Sequence, residues 1–250
     1  MKGLFNALNM NIGMFTIIPP FKKVWDEKSG KHMMKMYPII GLIIGVIWYA
    51  ISILLIKIGA KGMILSALML GIPFFLTGFI HLDGFMDVSD AILSRRDKET
   101  KLKILKDSTV GAFSVISLAL LLIVEYGSIT EIVLDGKKLA LLILIPIISR
   151  SIAGYFLITE ESIKESYFGK LFKEGTGLLD KVILILFFVL SCILFIFAGK
   201  LFVLIPIGMV LLSFYLLWNC KKNLGGINGD VAGYVLVLSE MIALIIFAIV

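Results

Sequence analysis

Followed along the chain, apolar and polar positions do not alternate at short range. Long apolar runs are separated by short polar loops. Seven runs reach the roughly 20 residues that an α-helix needs to cross a bilayer core. They lie near residues 37–58, 63–82, 109–134, 138–158, 181–199, 201–218 and 231–250. Only Gly199 and Lys200 divide the fifth run from the sixth, so that turn is the least marked boundary. Ahead of them, MKGLFNALNMNIGMFTIIPPF is apolar but interrupted by Asn6, Asn9 and Asn11, and no small-residue cleavage site follows. It predicts an amphipathic helix at the membrane interface within residues 1–21, ended by Pro19 and Pro20. No internal repeat or low-complexity linker divides the chain. The expected fold is all-α, a polytopic membrane bundle of about seven transmembrane helices plus the N-terminal interfacial helix. It forms one membrane domain over residues 1–250, with the bundle from residue 37 onward.

Composition supports this class. Of 250 residues, 59% are hydrophobic, more than a soluble domain of this length can bury. The formal charge of +6 is therefore read first as topology, and a nucleic-acid partner is not expected. One set of loops holds Lys22, Lys23, Lys28, Lys31 and Lys35, then Arg95, Arg96, Lys98, Lys101, Lys103 and Lys106, then Lys164, Lys170 and Lys173 with Lys181 at the edge, then Lys221 and Lys222. The alternate side holds only Lys57, Lys61, Lys137, Lys138 and Lys200. The positive-inside rule puts the rich side in the cytoplasm of a protein of the inner (cytoplasmic) cell membrane. Cys192 and Cys220 lack metal or pairing spacing and read as small core residues.

That topology gathers three stretches on one face. The first is FIHLDGFMDVSD, residues 79–90, placed directly after an apolar run. If residues 81–92 continue the second helix, Asp87 and Asp90 stand about 40° and about 20° from Asp83 around its axis. Three like charges on one stripe repel and call for a cation. Oxygen ligands at this spacing suit Mg²⁺ or Mn²⁺ better than zinc. His81 falls on the opposite face and reads as a helix-end or hydrogen-bonding residue. The second stretch, residues 95–113, carries Arg95, Arg96 and Lys106, which fit phosphate oxygens as well as anionic lipid. Asp107 closes it, as a helix N-cap or as a fourth acid. In the third, Gly225, Gly226 and Gly229 precede Asp230 beside Lys221 and Lys222. This reads as a glycine turn with an N-cap, or as a phosphate cradle. Glu240 lies about 15 Å deeper. Arg150 is the available intramembrane cation, and a Glu240–Arg150 pair is expected. Acids for a divalent metal, basic groups for phosphates and no Ser, Cys or His dyad together suggest metal-assisted phosphoryl transfer.

These stretches resemble a known family. TGFIHLDGFMDVSDA (77–91), KDSTVGAFSV (106–115), FTIIPP (15–20), ISRSIA (148–153) and GGINGDVAGYVLVLSE (225–240) resemble, in the family's order, the motifs of cobalamin synthase, adenosylcobinamide-GDP ribazoletransferase. Ala91, Ser114 and Asn228 depart from its pattern at local turns. The resemblance implies transfer of adenosylcobinamide phosphate from adenosylcobinamide-GDP to α-ribazole or its 5′-phosphate, with GMP as leaving group and Mg²⁺ as cofactor. It implies Asp83, Asp87 and Asp90 as metal ligands, and Asp107 as a further ligand or the base. Arg95, Arg96 and Lys106 become phosphate-binding. His81, Arg150, Lys221, Gly229, Asp230 and Glu240 complete the substrate-binding side.

Two other classes stay open on the residues alone. A CDP-alcohol phosphotransferase also clusters aspartates at a membrane face. Here the Asp83–Asp87 spacing is one residue too long for that family's pattern, and no Ala-Arg follows Asp90. A cation-coupled transporter needs acids along a midplane path, yet most acids here crowd one surface. The small-residue pattern GLIIG at 41–45 can pack helices within one chain or between two, leaving a homo-oligomer open.

Overall fold

A computed structural model of the chain describes residues 2–163 and 167–250. Lys164, counted above among the loop lysines, lies outside them. Helices follow in the order α1 (Lys2–Phe15), α2 (Glu27–Gly30), α3 (Met33–Lys57), α4 (Gly62–Leu76), α5 (Ile80–Leu93), α6 (Lys98–Ile104), α7 (Ala112–Leu134), α8 (Leu144–Thr159), α9 (Tyr167–Lys173), α10 (Leu178–Ala198), α11 (Leu204–Leu224) and α12 (Gly229–Ile249). Short 3-10 turns lead into α8 and α11. Among the described residues, six helices are long and apolar enough to cross a bilayer, and α4 with α5 forms a bent pair that would make a seventh. The chain is a multi-pass, all-α membrane protein.

The second run departs from the expectation of one straight span over 63–82. Helix α4 stops at Leu76, and α5 leaves it at 91°. The hinge is local. Gly78 and Phe79 take φ of +57° and +62°, conformations that end a right-handed helix. The Thr77 hydroxyl turns back onto the Pro73 carbonyl at 3.0 Å. The acidic stretch is thus a separate helix and not the tail of α4.

Helix α8 is the centre of the bundle and is buried along most of its length. Between helices in lipid, close packing and polar contacts replace the hydrophobic drive, so small residues mark tight contacts. The GLIIG pattern answers its question here. A Cβ on Gly41 or Gly45 would overlap the backbone of Pro146 or Ile143, so both glycines pack α3 against the α8 segment of the same chain. The Lys35 Nζ lies 2.6 Å from the Asp180 carboxylate and ties α3 to α10. By contrast α10 exposes Ile185, Leu186, Val189 and Leu190, a face matched to lipid.

Helix α1 ends at Phe15, before Pro19, where the Thr16 hydroxyl bonds to the Ile12 carbonyl at 2.7 Å. The asparagines that interrupt its pattern face the protein. Asn11 donates to the Met33 carbonyl at 2.7 Å, Asn6 to Asp26 at 3.1 Å, and Asn9 accepts from the Lys22 amide. These bonds give the buried asparagine side chains protein partners that lipid could not supply. Both cysteines are free thiols, Cys220 buried and Cys192 half-buried.

Candidate functional site

Asp83, Asp87 and Asp90 recur at steps of four and three along α5, so one face carries all three. The helix break leaves that stripe intact, because the acids all follow it. They line a cavity of about 330 Å³ with Met86, Ile104, Leu105, Lys106, Asp107, Ser108, Thr109, Val110 and Ser114. The opposite wall is the loop between α6 and α7, which carries the second sequence stretch.

Asp90 is fixed by the start of α7. Its Oδ1 accepts the Ser114 amide at 3.4 Å. A Cβ on Gly111, the residue before α7, would overlap the Asp90 carboxylate. The carboxylate therefore lies where unpaired helix amides and the positive end of the helix dipole favour an anion. Asp107 does not cap α7 as one expectation had it; the cap position belongs to Gly111. The Asp107 carboxylate instead accepts the Thr109 amide at 3.0 Å, and the hydrogen bonds from Thr109 hold its carboxyl below the ordinary carboxylate range.

The third stretch arrives from α12. The cap of α12 is Asn228, whose Oδ1 accepts the Val231 amide at 2.9 Å, so Asp230 is not the cap. The Asn228 amide donates to Asp230 at 2.7 Å. Gly84 lets α12 approach so closely that an added Cβ would lie 2.8 Å from the Asp230 Cα. This crossing brings Asp230 near enough to Asp83 and Asp87 for their charges to interact. Gly229 opens α12 and is exposed.

Lys106 borders a second, wider basin of about 590 Å³, lined also by Lys98, Lys103, Glu99, Glu161, Ser162 and Gly225. The acidic cavity and the basic basin are therefore contiguous at Lys106. Spacing could not assign Lys98, Lys103 and Glu161 to this basin, because it forms where α6, the loop after α8 and the α11–α12 turn meet.

Other candidates lie elsewhere. Arg95 and Arg96 are exposed on the turn after α5 and line neither cavity. His81 is buried on the far face of α5, with its Nε2 3.2 Å from the Tyr37 hydroxyl and its ring stacked on Phe15. Lys221 pairs with Glu160 at 2.6 Å. Arg150 and Glu240 meet inside the bundle, Nη1 to Oε1 at 2.6 Å, and the Ser149 hydroxyl donates to the same oxygen at 2.6 Å. The expected intramembrane pair is present, and neither residue lines the acidic cavity or the basin.

The donor set bears on a metal. Among the described residues, no three His, Cys, Asp or Glu side chains close into a cage around one point. Among those residues Asp83 and Asp87 also have no ion-pair or hydrogen-bond partner. Mg²⁺ rarely uses an all-protein cage; one or two carboxylates, water and substrate phosphates suffice. Carboxylate oxygens on one helix face, those of Asp83 and Asp87 without partners among the described residues, fit such an ion.

Fold and site define a polytopic membrane protein with an acidic cavity at one end of its bundle, suited to metal and phosphate chemistry. A family model described as cobalamin-5-phosphate synthase matches residues 7–248, and the chain belongs to that family. Among its relatives, the adenosylcobinamide-GDP ribazoletransferase of Clostridium perfringens (strain SM101 / Type A) is 51% identical over 251 residues, covering 100% of both chains. That of Clostridium botulinum (strain Alaska E43 / Type E3) is 49% identical, covering 98% of this chain and 97% of its own. That of Halalkalibacterium halodurans is 30% identical, covering 93% and 91%. No solved structure matches the chain.

Proposed function

We propose that this protein transfers the adenosylcobinamide phosphate moiety of adenosylcobinamide-GDP to α-ribazole or its 5′-phosphate. The products are adenosylcobalamin or its 5′-phosphate, and GMP, and the cofactor is Mg²⁺. The observation that carries the reading is the cavity lined by Asp83, Asp87 and Asp90 on one side and by Lys106 and Asp107 on the other, in a chain 51% identical throughout to a protein named for that reaction.

In this reading a ribazole hydroxyl oxygen forms a bond to the corrinoid-side phosphorus, and the bond from that phosphorus to the GMP oxygen breaks. The hydroxyl proton leaves to a carboxylate. Asp83, Asp87 and Asp90 would hold Mg²⁺, which supplies neutralisation of the pyrophosphate charge. Asp107, whose carboxylate accepts the Thr109 amide at 3.0 Å, lines the same cavity. It therefore serves to orient the hydroxyl or complete the ion's ligands. Asp90 is anchored on the α7 terminus, which fixes its oxygens against rotation. Lys106, between the two cavities, takes a phosphate oxygen. Lys98 and Lys103 make the wider basin suitable for a second anionic group, the nucleotide or the ribazole 5′-phosphate. The site faces the cytoplasm, as the distribution of lysine and arginine between the loops supports.

The test is purified protein with Mg²⁺, adenosylcobinamide-GDP and either α-ribazole or its 5′-phosphate, assayed for GMP and the joined corrinoid. Both products should appear in equal amounts. A CDP-activated lipid alcohol offered in place of the corrinoid should release no CMP; turnover there, with none on the corrinoid, would overturn the assignment.

A further inference from the structure

A different cavity lies in the groove between α8, α10 and α11, on the lipid-facing side of the bundle. It measures about 350 Å³ and its wall includes Ile152, Phe156, Ile185, Phe188, Val210 and Phe214. Phe214 also lines a charged mouth with Glu160, Trp218, Lys221 and Lys222. The apolar groove and the mouth are thus neighbours, with Phe214 lining both. On α11, Val210 and Phe214 line the groove and Phe214, Trp218 and Lys222 line the mouth, at steps of four that turn about 40° each around the helix axis. Twelve residues of helix span about 18 Å, close to half of the ~30 Å hydrocarbon core. Groove and mouth together therefore extend over about one leaflet.

The mouth is built for an anion at the headgroup level. Lys222 Nζ stands 5.5 Å from the centre of the Trp218 ring, and among the described residues no carboxylate pairs with it. Lys221 is paired with Glu160 at 2.6 Å, which leaves the mouth with a net positive charge. Tryptophan beside lysine at the end of a spanning helix is the usual interfacial arrangement.

We propose that this groove binds an anionic phospholipid, with an acyl chain lying against Phe214 and Val210 and the phosphate at Lys222. A second copy of the chain fits less well. Two-fold packing on this face about an axis normal to the membrane would bring both mouths to the same level and set lysines against lysines.

The test is native mass spectrometry of the whole protein, released from detergent after equilibration with equal amounts of phosphatidylglycerol and phosphatidylcholine of identical acyl chains. The expected result is about one retained lipid per chain, enriched in phosphatidylglycerol. Lys222→Ala should lower that enrichment about fivefold, the effect of one lysine at a membrane surface. Ile185→Trp, on the exposed wall of the groove, should reduce retention of both lipids while the melting temperature stays near that of the parent; Val189→Trp on the same wall repeats the test if Ile185→Trp is unstable. Soluble glycerol phosphate should not compete. Equal retention of the two lipids, enrichment unchanged by Lys222→Ala, displacement by glycerol phosphate, or a dimer without bound lipid would each overturn the proposal.

Discussion

Gly84 and Asp230 lie so close that a single methyl group on Gly84 would stand 2.8 Å from the Asp230 Cα. This crossing joins the helix of three aspartates to the helix of the Gly-Asp motif, segments nearly 150 residues apart along the chain. Gly84→Ala should force α12 away from α5. Overpacking of this kind costs about 1–3 kcal/mol, and a shift of about 1 Å at a reacting centre costs on the order of 100-fold in rate. The expected outcome is a modest loss of melting temperature with a much larger loss of turnover, read by thermal denaturation in detergent beside GMP release.

Gly111 and Asp90 make a second such contact, so Gly111→Ala should displace the Asp90 carboxylate from the α7 terminus. Asp90→Asn, by contrast, keeps an oxygen for the Ser114 amide and loses the charge. Gly111→Ala is expected to lower both stability and turnover. Asp90→Asn should lower turnover at least tenfold with a melting temperature within a few degrees of the parent, because a neutral oxygen still accepts the hydrogen bond.

The Arg150–Glu240 pair should govern stability. Arg150 is almost fully buried, and its Nε has no partner among the described residues. Arg150→Met leaves the Glu240 carboxyl and the Ser149 hydroxyl without their cation. Removing one partner of a buried pair costs about 3–5 kcal/mol, whereas replacing both with apolar groups is often near neutral. The double variant Arg150→Met with Glu240→Met should therefore melt higher than Arg150→Met alone.

The basin beyond Lys106 separates the two candidate acceptors. Lys103→Ala should raise KM for α-ribazole 5′-phosphate about tenfold or more and leave KM for α-ribazole nearly unchanged, since one charge-assisted phosphate contact contributes about 1.5–3 kcal/mol. Steady-state kinetics with both acceptors checks this. An equal change for both would move the second phosphate away from the basin.

Much of this was legible along the chain. The apolar runs located the spans because a bilayer demands about 20 residues. The three acids of α5 were found because steps of four and three survive any change in the direction of the helix. Arg150 and Glu240 were paired because a buried charge in lipid needs a partner. The 91° turn was not legible, since hydropathy is blind to two residues with positive φ. Nor was the seat of Asp90 on α7, a contact between elements that local spacing does not encode. Asn228 took the cap position expected of Asp230, one turn residue substituting for another. Lys221 reads as a phosphate ligand by its neighbours in sequence, yet Glu160, 61 residues away, holds it.

The central claim is that the acidic wall of α5 works on a diphosphate. Asp87 is the sharpest place to test it, lying mid-stripe with no hydrogen-bond or ion-pair partner among the described residues. The measurement is GMP release from adenosylcobinamide-GDP and α-ribazole in Mg²⁺, comparing the parent with Asp87→Asn at equal folded concentration in the same lipid discs. The account predicts turnover in the parent and a loss of at least 100-fold in the variant, in keeping with removal of a charge that acts in the transition state, with unchanged melting temperature. Near-parental GMP release by Asp87→Asn would contradict it.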